Sequence, residues 1–430
     1  MQVLLTGASG FIGGHLAHAL IAAGYDVLCA MRRPPTGARA QLRYVRADFT
    51  ADVDSAVWAP RLRGVQVVIN AAGILREQRG QSFYAIHVRG PTALFNACVL
   101  AGVQHVIQIS ALGADGDAQT AYHRSKHEAD EALARLPLKW VIVQPSIVYG
   151  ANGASAALFD ALASAPLVPV PGAGEQQVQP IHIADVVDGV LALLAHTDQR
   201  GIVLPFVGPR PLALREFLAD LRYSMGLPTA RFLHVPLPLV RAAARAGSAM
   251  RRGLLDRDTL GMLMRGNTGD PAPLERLLQH RARPAERFVD TAHRAAVAQA
   301  ARLAWLLPVL RYALAFLWIV SGVVSLGPFP IDESLRRLAA VGITNEAAAG
   351  FMLYGAALFD IGLGIATLVV ARRRVLWLVQ IALVLVYTAI ISVRLPEFWL
   401  EPFGPVTKNV PLLAALWLLY ELDGRRRWNT

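Results

Sequence analysis

Short apolar runs alternate with helical stripes through the first 150 residues. The runs are Gln2–Leu5, Asp26–Met31, Val65–Asn70, His105–Ile109 and Lys139–Val143, and the intervals between them are long enough for a helix each. Such strict alternation predicts a parallel sheet with helices on both faces. Behind the first run, Phe11, Ile12, Leu16, Leu20 and Ile21 recur at helical spacing. From 151 to 300 the apolar runs shorten, and proline and glycine punctuate Ala165-Pro-Leu-Val-Pro-Val-Pro-Gly172. A helical pattern follows Pro180-Ile-His-Ile-Ala-Asp185, and helices parted by polar or proline-containing turns are expected from Pro211 to Arg302.

After Arg302 the pattern becomes apolar on every face. Tyr312–Leu326 is uncharged and, with Leu303–Leu310, spans a bilayer if Arg311 faces a partner or a cavity. Ala347–Ala371 holds 25 residues with one charge, Asp360, and Val375–Val393 holds 19 with none. Val410–Tyr420 is shorter and needs its flanks, since a spanning helix takes about 20 residues. Four spans are therefore expected, and three regions: 1–150, 151–300 and 301–430. Arg372-Arg-Arg374 and Arg425-Arg-Arg427 predict cytoplasmic connections, whereas Asp332-Glu333 and Glu397–Glu401 suit the outer side, so both chain ends are expected in the cytoplasm.

Composition sharpens this. The chain is 54% hydrophobic and only 17% charged, with a net charge of +11. No basic run is interleaved with stacking aromatics, which argues against nucleic acid as a partner. The arginines gather instead beside apolar segments, notably across 241–287, where an anionic lipid surface is the expected partner. Cys29 and Cys98 form neither a disulfide framework nor a metal-ligand spacing, so no metal is expected and the front of the chain suits a reducing compartment. Val3-Leu4-Leu5 is expected to be structural rather than part of a signal peptide.

The candidate chemistry begins at Thr6-Gly-Ala-Ser-Gly-Phe-Ile-Gly13, where the first strand turns into the first helix. A helix N-terminus offers free N–H groups and a positive dipole end to a pyrophosphate. Gly7 makes the turn, Gly10 admits phosphates to the backbone and Gly13 allows close helix–strand packing. The second strand ends in Arg32-Arg33, 19 residues after Gly13 in the case of Arg32, where arginine suits a 2′-phosphate and an acid would suit a 2′-hydroxyl. Asp48 is placed to accept from an adenine amino group, and Asn70-Ala71-Ala72-Gly73 leaves room for a ribose and nicotinamide. Ser110 ends the fifth strand, and Tyr122 and Lys126 share one face of the next helix. An ammonium beside a phenol lowers the phenol's pKa, so Tyr122 is expected to exchange a proton at a carbonyl, with Lys126 also holding a ribose and Ser110 steadying the substrate oxygen.

These residues, with Pro145-Ser-Ile-Val-Tyr-Gly150 and His182-Ile-Ala-Asp185, resemble the short-chain dehydrogenase/reductase superfamily of the extended or atypical kind, over roughly residues 1–290. Ser110-Ala-Leu-Gly113 and Asp256–Asn267 look most like the subgroup of the complex I NADPH-binding subunit, and the last part resembles a DoxX-like four-helix membrane domain. The resemblance implies an α/β Rossmann-like doubly wound parallel sheet with a small, mainly helical substrate region, followed by an all-α transmembrane bundle. It implies NADP(H), with NAD(H) less favoured, held by Gly7, Ser9, Gly10, Phe11, Ile12, Gly13, Arg32, Arg33, Asp48, Ala71, Ala72, Gly73, Tyr122, Lys126 and Pro145. The chain departs from the family at Gln144, where arginine is usual, and at His87, where asparagine is usual; Ser110 also lies only 12 residues before Tyr122.

The expected function is a multi-pass protein, of the bacterial inner membrane, whose cytoplasmic domain moves hydride to or from a carbonyl or alcohol of a lipophilic substrate. The alternatives are a non-catalytic NADPH holder, as a structural subunit of a membrane complex or a redox sensor, and a nucleotide-sugar epimerase or dehydratase. Asp360 is expected either to pair with Lys408, Arg311 or Tyr354 or to serve a function, Gly355, Gly362 and Gly364 to allow close helix packing, and His182 and Asp185 to shape the cleft edge or fix a strand-to-helix turn, a catalytic role being less favoured.

Overall fold

The computed structural model describes residues 1–35, 42–195, 199–250, 257–371, 373–402 and 404–425, so Arg251, Arg252, Asp256, Arg372, Arg426 and Arg427 lie outside the described residues. The chain forms two compact units, Met1–Arg302 and Leu303–Thr430.

The first unit is built on seven strands: β1 (Gln2–Thr6), β2 (Asp26–Met31), β3 (Leu42–Arg46), β4 (Val67–Asn70), β5 (His105–Ile109), β6 (Trp140–Pro145) and β7 (Ile202–Phe206). They lie in the order β7-β6-β5-β4-β1-β2-β3, and every pairing is parallel. Side chains alternate across the sheet. Val3 and Leu5 enter a core with Leu16, Leu20, Val190 and Leu193, while Leu4 enters the opposite core with Trp58, Leu94, Phe95 and Leu133. The strand order reverses between β1 and β4, where Thr6 lies beside Asn70. Ligands of open parallel sheets bind at the C-terminal strand ends beside such a reversal.

Two strands were not among the apolar runs. β3, Leu-Arg-Tyr-Val-Arg, is an edge strand with polar alternation, and β7 forms the other edge and carries Pro205; edges tolerate both features. The region after residue 150 thus completes the sheet. It is mainly helical, as expected, and three two-stranded ladders (Val148–Tyr149 with Ile181–His182, Gln177–Val178 with Leu212–Ala213, and Val168–Pro171 with Phe232–Val235) occur among the described residues. The helices used below are α1 (Phe11–Ala22), α2 (Gly90–Ala101), α3 (Ala121–Ala134), α4 (Ile183–Ala195), α5 (Leu237–Met250) and α6 (Arg257–Arg265).

The chain continues through α7 (Arg294–Ser325), α8 (Ile331–Val341), α9 (Glu346–Val369), α10 (Arg374–Arg394) and α11 (Asn409–Arg425). Segments Thr291–Ser325, Glu346–Val369 and Arg374–Arg394 are long and apolar enough to cross a membrane. The expected fourth span is α11, with 17 residues, and it falls short of that length. The amphipathic α8 lay outside the expected elements; its Glu333 pairs with Arg336 and Arg337 on an exposed face. In the interior of this unit, Trp318 Nε1 donates to Gln380 Oε1 (2.9 Å) and Gln380 Nε2 to Thr367 Oγ1 (2.8 Å), joining three helices. A Cβ on Gly364 would lie 2.5 Å from Ile319, and one on Gly322 would lie 2.4 Å from the Ala357 oxygen. Gly355 and Gly362 have nothing within 4 Å and do not serve close packing. Asp360 is buried, and no hydrogen bond or ion pair joins it to Lys408, Arg311 or Tyr354 among the described residues.

Candidate functional site

The glycine turn is held by its own backbone. Gly7 adopts φ +69°, and a Cβ there would lie 2.5 Å from the Ala71 oxygen. Gly10 N donates to Gly7 O (2.8 Å). Gly10 is also the N-cap of α1, with no side-chain cap and no acid in the first helical turn. The N–H groups that open α1 are therefore free for an anion. A cleft runs from Ser9 and Gly10 past Arg32 at the end of β2 to Ala71, Ala72 and Gly73 behind β4, with Phe49 and Ile86 in its wall. The open glycine cradle, the uncapped helix start and the cationic group of Arg32 at the rim fit a dinucleotide.

The remaining predicted contacts divide. Gly13 is buried under the turn, where its Cβ would lie 2.1 Å from Gly7 O. Phe11 faces Gly150 and Gly153 rather than the cleft wall, and Ile12 packs on the sheet core. Arg32 meets the side-chain oxygen of Gln81 (3.2 Å), whereas Arg33 is exposed and does not line the cleft. Asp48 is not a lining residue either; its Oδ1 accepts from Thr50 N (3.0 Å) and Thr50 Oγ1 (2.8 Å) and so closes the turn after β3. Pro145 ends β6, and its oxygen accepts from Leu112 N (3.0 Å).

Beyond Gly73 the cleft meets α3. Thr120 caps this helix by accepting from His123 N (3.2 Å). Tyr122, Lys126 and Asp130 then fall at four-residue intervals on one face. Lys126 is buried, and its Nζ donates to Ile109 O (3.0 Å). A Cβ on Gly73 would lie 3.2 Å from that Nζ, so the absent side chain opens the approach to Lys126. Ser110 Oγ donates to Asp130 Oδ2 rather than facing open space.

Titration follows burial. Desolvation pushes the Tyr122 phenol up to about 12, with nearby Asp130 acting in the same direction. Desolvation brings Lys126 down to about 8, against the pull of Asp130. Asp130 is raised to about 6 by burial, opposed by the Ser110 hydrogen bond and by Lys126. The expected lowering of the Tyr122 pKa is therefore absent, because burial disfavours the phenolate and Asp130 adds to that effect.

His87 lies on a π-helical turn, Tyr84–Arg89, a local distortion common at functional sites. Its Nε2 accepts from Ile74 N (3.0 Å), so Nδ1 carries the proton and donates to Ser125 Oγ (2.8 Å). Burial, with Lys126 beside it, lowers the imidazole to about 2, and the ring is neutral. Phe83 stacks on it at 5.3 Å and Tyr122 meets it edge-on at 5.6 Å. His87 thus orders α3 against the loop that follows β4.

Several contributors had no clear signal in the sequence. Thr6 donates to Asn70 Oδ1, and Asn70 Nδ2 to Gln108 Oε1 (2.7 Å), a buried polar row below the strand ends. Arg265, at the end of α6, donates to Gly113 O (2.9 Å) and to both oxygens of Asp115 (2.8 and 2.9 Å), fixing the loop that leads into α3. Asn267 Oδ1 accepts from Ile147 N (3.0 Å). Gln144, in place of the usual arginine, donates to Ala114 O (3.1 Å). His182 and Asp185 do fix a turn: Asp185 Oδ2 accepts from Arg283 N (2.8 Å), and His182 Nδ1 accepts from Ala184 N (3.2 Å) and lies 3.1 Å from the Arg283 guanidinium.

The fold and cleft are those of an open parallel sheet with a glycine turn at its switch point, the place where such sheets bind nucleotides. Residues 3–204 match the NAD dependent epimerase/dehydratase family, and residues 315–417 match the DoxX-like family. The chain is thus similar in its first part to epimerase/short-chain dehydrogenase proteins and in its last part to DoxX-like proteins. Over 242 residues it is 28% identical to NADH dehydrogenase [ubiquinone] 1 alpha subcomplex subunit 9, mitochondrial, of Mus musculus, covering 54% of this chain and 63% of that protein. Over 192 residues it is 28% identical to a ceramide reductase of Caulobacter vibrioides, covering 44% and 60%. Over 277 residues it is 24% identical to the 4-hydroxy-2-methyl-3-oxo-4-farnesyl-3,4-dihydroquinoline-1-oxide ketoreductase of Stigmatella aurantiaca, covering 59% and 82%. The chain spans about six tenths of the length of the first two relatives. A UDP-glucuronic acid 4-epimerase from Bacillus cereus shares the fold with a TM-score of 0.52 at 18% identity, over 71% of this chain and all of that one.

Proposed function

We propose that this protein is a membrane-anchored, NADPH-dependent ketoreductase acting on a lipophilic carbonyl compound. The observation that carries the reading is the approach of Gly73, in the cleft wall, to Lys126, which lies one helical turn from Tyr122. Gly7, Gly10 and the start of α1 would hold the pyrophosphate, and Arg32 the 2′-phosphate. Bound there, the reduced nicotinamide supplies a hydride. Tyr122, protonated at neutral pH, gives its phenolic proton to the carbonyl oxygen. Lys126 keeps positive charge beside that oxygen and binds the adjoining ribose. A phenol held this high is a donor rather than an acceptor, which favours reduction over alcohol oxidation.

The DoxX-like region and its apolar helices support a membrane setting. The basic loops support a cytoplasmic side for both chain ends, which requires α11 to cross as a fourth span with the help of its flanks. The farnesylated and ceramide names of two relatives support a lipophilic substrate class. Exposed Leu239, Arg241 and Arg245 on α5 suit contact with anionic lipid.

The test is to purify the full chain gently in detergent, identify its bound nucleotide, and screen lipophilic ketones for NADPH oxidation. A Tyr122→Phe protein is expected to lose about 100-fold to 10,000-fold in turnover while still binding nucleotide. Full turnover by that variant sinks the mechanism. Stoichiometric NADPH that no ketone oxidises would favour the non-catalytic holder, a reading that the neutral, locked His87 also suits. A clear preference for NAD and a nucleotide sugar would favour the epimerase reading instead.

A further inference from the structure

Asp130 belongs to no motif, yet it is one of the most enclosed carboxylates in the first unit, with 5% of its surface exposed. Its Oδ2 accepts from Ser110 Oγ, and among the described residues its Oδ1 meets no donor within hydrogen-bond geometry, although the Gln144 and Gln108 amides lie near the carboxylate. Lys126 and Tyr122 face it from α3, Ser110 and Gln108 from β5 and its end, and Gln144 from β6. Among these neighbours Lys126 is the cation. An arginine at position 144 would bring a second positive charge to this buried group; Gln144 brings none.

We infer that Asp130 is a positioning residue of the site, a buried counter-ion that keeps Lys126 charged and turns the Ser110 hydroxyl away from the substrate. The inference rests on the proposed nucleotide-dependent reading for its main test but not for its second. A lysine desolvated in this way loses its proton unless an anion sits beside it. Asp130 supplies that anion from one helical turn along α3, within electrostatic reach of Lys126 but without an ion pair to it, since Lys126 Nζ bonds to Ile109 O. Ser110, expected to steady the substrate oxygen, serves Asp130 instead: its donated bond satisfies one carboxylate oxygen and leaves the other facing the neighbouring amides.

The experiment follows NADPH affinity of the full chain in detergent, by fluorescence, across the neutral to alkaline range. In the wild type, affinity is expected to fall as Lys126 deprotonates near pH 8. Asp130→Asn keeps the shape and can still accept from Ser110, and it is expected to move that midpoint down by about one unit or more, so affinity at pH 8 drops about fivefold or more. Asp130→Glu is expected to restore the midpoint. An unchanged midpoint in Asp130→Asn overturns the proposal, and so does an equal loss at every pH, which is the mark of a structural role alone.

Should the wild type bind no nicotinamide nucleotide, the functional reading fails, and the pH dependence of Tm tests Asp130 without ligand. Lys126 has a folded pKa below its unfolded value, so the unfolded chain binds more protons between the two and stability rises with pH there. Asp130→Asn is expected to start that rise at lower pH. A rise beginning where it does in the wild type overturns the assignment.

Discussion

A Cβ placed on Gly13 would lie 2.1 Å from the carbonyl oxygen of Gly7. The two glycines are one device, because the turn can sit on α1 only while position 13 has no side chain. Gly13→Ala is expected to push the turn off the helix, costing about 1–3 kcal/mol of stability. Thermal melting and nucleotide affinity, measured together, should both fall; an unchanged affinity would separate the turn from the cofactor site.

Arg32 stands at the cleft rim with its guanidinium on Gln81, and Arg33 stands outside it. Arg32→Glu is expected to reverse nucleotide preference, weakening NADPH by about 10-fold to 100-fold, the range of one or two charge-assisted hydrogen bonds. Arg33→Glu should change the ratio of NADPH to NADH affinity by less. Comparable effects at both positions would contradict the placement of Arg32.

The phenol and the ammonium predict the pH profile of reduction. Tyr122, with a pKa of about 12, stays a donor across the neutral range. Lys126, at about 8, loses its charge above that pH. Reductive turnover is therefore expected to be level up to about pH 8 and to fall above it. A rise in reduction between pH 8 and 10, read from initial rates, would exclude these assignments.

Gly364 and Gly362 separate packing from composition. A side chain at 364 meets Ile319 at 2.5 Å, and one at 362 meets nothing within 4 Å. Gly364→Leu is expected to lower the melting temperature of the detergent-solubilised protein, by about 1–3 kcal/mol of overpacking. Gly362→Leu is expected to leave it nearly unchanged. Equal effects would refute the α7–α9 contact.

The sheet was legible because buried parallel strands are apolar throughout, as in Val67-Val-Ile and His105-Val-Ile. β3 escaped because an edge strand reads as polar. The site was legible wherever its geometry is local: the glycine turn, and the four-residue step from Tyr122 to Lys126. Asp130 continues that step, but an acid on a helix ordinarily reads as solvated. Its burial is set by β5 and β6, which no local pattern reveals. The same limit hid the difference between Gly362 and Gly364, since two residues rotate a helix face by about 200°.

The bonds from Arg265 to Gly113 and Asp115 join positions about 150 residues apart in the chain. The sheet closes at Phe206, well before Arg265. A fragment ending with the last strand would keep the glycine turn and its cleft, yet lose the guanidinium that pins the loop leading to Tyr122. The loop before Tyr122 is thus held by a side chain from outside the segment that forms the sheet, so the sheet alone does not fix how that loop enters α3.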